Sequence, residues 1–299
     1  MKFGVQLPEA EYEATWPEIR DMARIAEDSG FDSIWLGDHL LYRFETGPAG
    51  PWEAWSMLAA LAAVTERVTL GPLVAATPFH SPAMLAKKAA TVDEISGGRL
   101  VLGLGAGWNR LEFDAFGFPY DQRVSRFAEA FEIIRRLLTT GEADFEGRFY
   151  TIRECELHPR PRLGGPPLMI GSNGERMLGL TLPYVEYWNS WYRNFNNQVD
   201  DLRPLMAKIE QSAVELGRAP GEVRKTVALL VAFESIRAPS RYVETTPAIT
   251  GSITQMAEAL AGFAGAGVDH VMLVLDPITA DSVAAAAEVV ASARDLISS

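Results

Sequence analysis

D-E-I-S-G-G-R-L-V-L-G-L-G-A-G-W-N-R-L-E, from Asp93 to Glu112, decides how the rest of the chain is read. A Ser-Gly-Gly turn releases an apolar strand, Leu100 to Leu104, that runs into Gly103, Gly105 and Gly107. Alternate glycines at the carboxyl end of a buried strand leave one face of the backbone bare, and a large flat ligand can lie against it. Trp108 and Asn109 follow at once and supply an aromatic wall and an amide. The pattern is not a dinucleotide fingerprint, because Trp108-Asn109-Arg110 stands where the third glycine of G-x-G-x-x-G belongs.

Outward from that strand, short β-rich runs alternate with longer helical patterns. Upstream, strands are expected at Phe3 to Leu7, Ser33 to Leu36 and Val68 to Val74. Between them lie helices at Thr15 to Ser29, Trp52 to Val64 and Pro82 to Ile95. Ile19, Met22, Ala23, Ile25 and Ala26 share one face of the first helix, the spacing of an amphipathic surface helix. Downstream, a loop of nearly twenty residues leads to a helix at Val124 to Leu138, then a hairpin-like insertion within Ala143 to Leu157 turning at Gly147. Strands at Leu168 to Ile170, Glu186 to Asn189, Val227 to Phe233 and Val271 to Leu275 follow, with helices at Glu175 to Leu182, Val199 to Leu216, Thr254 to Gly265 and Asp281 to Ile297. Eight β-α pairs in this order imply an α/β fold with a parallel sheet closed into a (β/α)8 TIM barrel. No linker or low-complexity tract interrupts them, so residues 1–299 read as one domain.

Composition narrows the function. With 27 basic against 39 acidic residues the net charge is -12, and no basic run or basic-aromatic stripe marks a nucleic-acid partner. An anionic ligand needs local donors to overcome that field. The single cysteine, Cys155, excludes an internal disulfide framework and fits a reducing compartment. The first strand begins too early to leave room for a signal peptide, and no apolar run is long enough to span a membrane. The expectation is a cytoplasmic protein.

In such barrels the site lies where strands end and βα-loops begin. After the second strand, Gly37-Asp38-His39 puts a histidine beside a carboxylate. That pair can move a proton near neutral pH, or simply be a histidine bonded into the rim by Asp38. After the third strand, L-G-P-L-V-A-A-T-P gathers prolines and a glycine, suiting either a bulge or a plain strand stop. Past it, T-P-F-H-S-P brings His80 to the site or leaves it on the surface. After the fifth strand, Gly171-Ser172-Asn173-Gly174-Glu175-Arg176 enters a helix. Ser172 and Glu175 have capping-box spacing, and free N–H groups beside an arginine also cradle an anion. After the sixth, Tyr187-Trp188-Asn189 adds an aromatic and an amide, though Trp188 suits core packing equally. His80, His158 and His270 are scattered without metal-ligand spacing, so no metal is expected. There is no G-x-S-x-G elbow and no P-loop.

Taken together, these segments resemble the bacterial luciferase-like superfamily of flavin- and deazaflavin-dependent oxidoreductases. The resemblance is densest from A-K-K-A-A-T-V-D-E-I-S-G-G-R-L-V-L-G-L-G-A-G-W-N-R-L-E-F through F-G-F-P-Y, Arg123 to Glu129 and D-F-E-G-R-F-Y, with P-P-L-M-I-G-S-N-G-E-R and Y-W-N further on. It implies that Asp38 and His39 face a deazaflavin ring, with His39 as proton relay. It also implies a non-prolyl cis peptide at Leu73-Val74 backing that ring. Gly105, Gly107, Trp108 and Asn109 would contact the ring and its polyol chain, and Gly171, Ser172, Asn173, Gly174 and Arg176 the phosphate. One departure stands out: Val185-Glu186-Tyr187 replaces the Ala-Asp often found before the Trp-Asn of the sixth strand.

The resemblance implies hydride transfer between coenzyme F420 and a small organic substrate. The alternative is an FMN-dependent monooxygenase of the same fold, and a remoter one a flavin-binding protein without turnover. A flavin or F420 reductase and a second copy of the chain are the partners it allows. A barrel lyase is disfavoured because no strand ends in lysine.

Overall fold

The strands read as near-continuous apolar runs, the pattern of a parallel sheet covered on both faces. The computed structural model describes residues 1–162, 164–236 and 245–298. Among the described residues, eight parallel strands follow in order: β1 (Lys2–Gln6), β2 (Ser33–Leu36), β3 (Thr69–Pro72 and Ala75–Ala76), β4 (Leu102–Gly105), β5 (Leu168–Ile170), β6 (Tyr187–Ser190), β7 (Arg224–Ala232) and β8 (His270–Asp276). β1 pairs with both β2 and β8, setting Val5 opposite Ile34 on one side and Leu273 on the other. The two pieces of β3 close the ring. The first pairs with β2 (Ile34 opposite Leu70) and the second with β4 (Ala75 opposite Leu104). The strand order is therefore circular, and the expected α/β barrel is formed.

Helices surround it as α1 (Trp16–Asp28), α2 (Ala54–Val64), α3 (Pro82–Ser96), α4 (Arg110–Phe116), α5 (Arg123–Thr140), α6 (Glu175–Thr181), α7 (Val199–Glu215), α8 (Ile253–Gly265) and α9 (Ala280–Ser298). Local chemistry sets their ends. Thr15 opens α1 with a capping box, its N–H donating to Glu18 Oε2 at 2.7 Å. The buried stripe of Ile19, Met22, Ala23 and Ala26 then seats the helix on the barrel. Glu53 caps α2 by accepting from the N–H groups of Trp55 and Ser56. Gly97, at φ 69°, ends α3 in the left-handed region that a side chain would resist.

The structure departs from expectation in two segments. The long loop after β4 contains α4, only seven residues long and so without a clear period in the sequence. After β2 a small hairpin, Tyr42–Phe44 with Gly47–Ala49, folds over the rim. The later insertion is the expected hairpin, Glu142–Glu146 with Thr151–Glu156. The Leu73–Val74 peptide, between the two pieces of β3, is cis and non-prolyl, as the resemblance implied.

At the amino end of the barrel, Ser33 Oγ accepts the indole N–H of Trp35 at 2.7 Å and meets His270 Nε2 at 2.7 Å. Burial pushes the His270 imidazole down to about 3, so it is neutral at physiological pH. No helix of the described residues is long and apolar enough to cross a membrane.

Candidate active site

Asp38 and His39 lie just past the end of β2 and reach different segments. One carboxylate oxygen of the buried Asp38 accepts from the Ala76 N–H at 2.8 Å and meets His80 Nε2 at 2.9 Å. Asp38 therefore fastens the second piece of β3 and the turn beyond it. It does not bond His39, contrary to the rim-bonding expectation. His80 is brought to the site, its ring edge-on to Trp55 at 6.3 Å.

His39 pairs instead with Glu112. Its Nδ1 lies 3.0 Å from Oε2 and 3.2 Å from Oε1 of that carboxylate. Glu112 is fully buried in the first turn of α4, where the helix dipole favours a negative charge. Its Oε1 also accepts the N–H groups of Leu40 and Leu41. Burial alone would lower the His39 pKa, but the Glu112 hydrogen bond and the charges of Glu9, Glu112 and Asp38 outweigh it and raise it above its usual value. Burial would likewise raise Glu112, yet the bond and charge of His39 and the two N–H donors hold it below the usual carboxylate range. The His39 ring packs against Tyr42 at 5.0 Å and edge-on to Trp108 at 5.7 Å. Trp108 is 63% exposed. Asn109 donates from Nδ2 to the Leu41 carbonyl at 3.2 Å, tying this segment to the hairpin.

The glycines serve a purpose the sequence did not disclose. A Cβ added to Gly103, Gly105 or Gly171 would stand 2.8, 2.8 or 2.9 Å from a methyl group of Val74. The bare backbone of β4 is thus a socket for the Val74 side chain, not an open platform, which corrects the first reading of the glycine cluster. Leu73 and Val74 form the surface that a flat ligand would meet. Gly107, at φ 71°, is needed for its own conformation and for the Phe113 ring, 2.8 Å from where a Cβ would be.

Beyond β5, α6 begins at Glu175 with Gly174 as its cap residue, so the capping box is not formed. Ser172 Oγ accepts from the Gly174 N–H at 3.3 Å, a turn made two residues too early to cap the helix. Asn173 donates to Ser190 Oγ at 3.3 Å, and its own carbonyl oxygen is buried with no protein partner. Arg176 is exposed and donates to Ser125 Oγ at 2.9 Å. Trp188 is fully buried, its indole N–H on the Ser172 carbonyl at 3.0 Å, and Asn189 points inward onto Thr226. These two belong to the barrel core. Among the described residues no group of three or more His, Cys, Asp or Glu side chains could hold a metal ion.

The residues present fit a planar cofactor with a phosphorylated tail. An apolar bulge backs one end of the cleft, the orphaned Asn173 carbonyl waits for a donor, and Arg176 with the Gly171–Gly174 loop can meet an anion. Glu112 and Tyr42 were not read from the sequence, whereas His80 was, as a residue of either the site or the surface. Glu112 did carry a mark, an acidic residue three positions after Asn109, as at the start of a helix.

Comparisons with known proteins agree with this fold. Residues 1–240 match the model of the luciferase-like monooxygenase family. Over 182 residues the chain is 37% identical to the 5,10-methylenetetrahydromethanopterin reductase of Archaeoglobus fulgidus, covering 60% of this chain and 50% of that one. Over 181 residues it is 33% identical to the pyrimidine monooxygenase RutA of Escherichia coli, covering 56% and 52%. The chain thus spans about half the length of the curated relatives it matches. In fold it is like an F420-dependent secondary alcohol dehydrogenase solved with an F420-acetone adduct, with a TM-score of 0.83 over 98% of both chains at 19% identity.

Proposed function

From its membership of the luciferase-like monooxygenase family, we propose that the chain is an oxidoreductase moving a hydride between coenzyme F420 and a small organic substrate. One observation supports this above others. Asp38 fastens the strand just past Leu73–Val74 while the adjacent His39 is held by Glu112, so a proton carrier and an apolar backing share one rim. Leu73, Val74, Trp108 and Asn109 would hold the ring and polyol chain, with Gly105 and Gly107 making room for Val74 and Phe113 behind them. Gly171, Ser172, Asn173, Gly174 and Arg176 would hold the phosphate. Bound there, the deazaflavin supplies the hydride chemistry.

The chain's own work is positioning and proton transfer. Glu112 fixes Nδ1 of His39 and leaves Nε2 to give or take the proton that accompanies the hydride. The raised pKa keeps that proton available near neutrality. Tyr42 and Trp108 flank the ring and limit water beside it.

A second reading, an FMN-dependent monooxygenase served by a flavin reductase, draws on the 33% identity to a pyrimidine monooxygenase. Fluorescence titration of the purified protein with F420 and, separately, FMN tests the choice. Micromolar F420 binding with weak FMN binding is expected. The reverse order overturns the deazaflavin reading, and binding of neither overturns both. We extend the proposal to pairing of two copies through exposed helix faces such as that of Met84 and Ile95 on α3. Sedimentation velocity checks it, and a monomer at micromolar concentration would refute it.

A further inference from the structure

The barrel mouth holds a group of side chains that the His39 pair and the Val74 socket leave unexplained. Gln6 ends β1 and is 2% exposed. Two residues earlier, Gly4 faces the interior, where an added Cβ would lie 2.8 Å from Trp35 Nε1. Strand alternation therefore turns Gln6 inward as well. Its Nε2 donates to Glu9 Oε1 at 2.8 Å. An ionised carboxylate only accepts, so this bond fixes which way the amide points. The Gln6 carbonyl oxygen is left buried in the interior with no protein partner.

Glu9 belongs to the same recess. Its Oε1 stands 1.8 Å from where a Cβ on Gly37 would be, so the carboxylate lies across that glycine at the upper end of the barrel. Its Oε2 accepts the Tyr42 hydroxyl at 2.9 Å, and the Tyr42 ring is the one packed on His39. Glu11 closes the back of the recess by accepting the N–H groups of Glu9 and Ala10. Glu9, Asp38 and Glu112 are thus gathered around His39 and His80 on a chain of net charge -12. What the recess offers a newcomer is an acceptor in a negative field.

We infer that the substrate presents a hydrogen-bond donor, a hydroxyl or an amine on a neutral or cationic molecule, to the Gln6 carbonyl beside His39, and that carboxylate and phosphate substrates are excluded. The inference rests on the reading of this rim as the site of hydride transfer. Gln6 reads the donor. Glu9 pins the amide in the accepting orientation and supplies the charge that favours an ammonium over a carboxylate.

Saturation-transfer NMR on the full chain with millimolar cyclohexanol, cyclohexylamine and cyclohexanecarboxylate tests this, with F420 affinity measured on the same samples by fluorescence. The alcohol and the amine should bind and the carboxylate should bind at least about tenfold more weakly, the effect of one such interaction. Gln6→Met, close in shape, should weaken alcohol and amine by about tenfold. Glu9→Gln should weaken the amine more than the alcohol and improve the carboxylate, a pattern that mere loss of packing would not produce. Equal binding of all three, binding of none, or an unaltered Gln6→Met variant overturns the inference. Discrimination lost while F420 still binds removes this inference alone. Failure of F420 to bind removes the functional reading and leaves the three-compound comparison readable.

Discussion

Glu112 Oε2 lies 3.0 Å from His39 Nδ1, and the two residues come from the loops of different strands, β4 and β2. The pairing assigns the carboxylate that tunes the histidine to a residue remote in sequence, while the adjacent Asp38 serves the backbone of β3. Replacing Glu112 by Gln keeps an oxygen for the Leu40 N–H but removes the charge. The His39 titration midpoint, read by NMR, should lie above 6.5 in the parent and fall in Glu112→Gln. Between 4.5 and 6.5 the stabilisation from this pair is whole; it is lost as pH rises through the raised His39 midpoint and as pH falls through the lowered Glu112 one. An unchanged midpoint would show that Glu112 does not govern His39.

The Val74 socket predicts a rescue. Gly105→Ala places a methyl 2.8 Å from Val74 Cγ2, an overpacking that should cost about 1–3 kcal/mol and weaken cofactor binding. Val74→Ala vacates the space. The double variant should recover much of the stability lost by Gly105→Ala, as read from denaturant midpoints. Strict additivity of the two changes would exclude the contact as the cause.

His270 should set the acid limit of the fold. It is neutral in the folded chain, and an unfolded chain takes up a proton below 6.5. Stability is therefore whole above 6.5 and declines toward pH 3, by on the order of 4 kcal/mol from this residue. In His270→Gln, urea midpoints measured from pH 7 to pH 4 should fall less steeply than in the parent. Parallel slopes would refute this.

Glu11 works in the opposite sense. Burial first, and then the charge of Glu9, push its carboxyl up to about 7 from an unperturbed 4.5. Its contribution is whole below 4.5 and is lost as pH rises through about 7. Glu11→Gln retains an acceptor for the Glu9 and Ala10 N–H groups and removes the charge. The variant should melt several degrees higher than the parent at pH 8 and show little difference at pH 4.5, a shift of the size about 3 kcal/mol produces.

Barrel closure was legible because eight strand-helix alternations admit few other arrangements. Helix α4 was not, since seven residues give too few turns for a period, and with it Glu112 was missed. Asp38 and His39 could be named as rim residues, but adjacency in sequence suggested a partnership that neither makes, because each is taken up by a residue remote in the chain. The glycines of β4 were correctly marked as a place of close approach. What approaches is Val74, and that depends on the path of β3, which no local pattern in Leu100 to Gly107 encodes. Gln6 looked like an ordinary strand residue, and only its orphaned oxygen set it apart.

The split bonding of Asp38 and His39 also acts as a proofreading device for barrel assembly. A slip of β2 by a single residue would displace both side chains, which lie just past its end. Asp38 would then miss the Ala76 N–H, and His39 would miss Glu112. A misaligned barrel could still bury much of its apolar surface, but it would have lost the His39–Glu112 pair. Correct alignment is thereby written into the polar contacts of the rim, and a chain that folds out of step forfeits both of them at once.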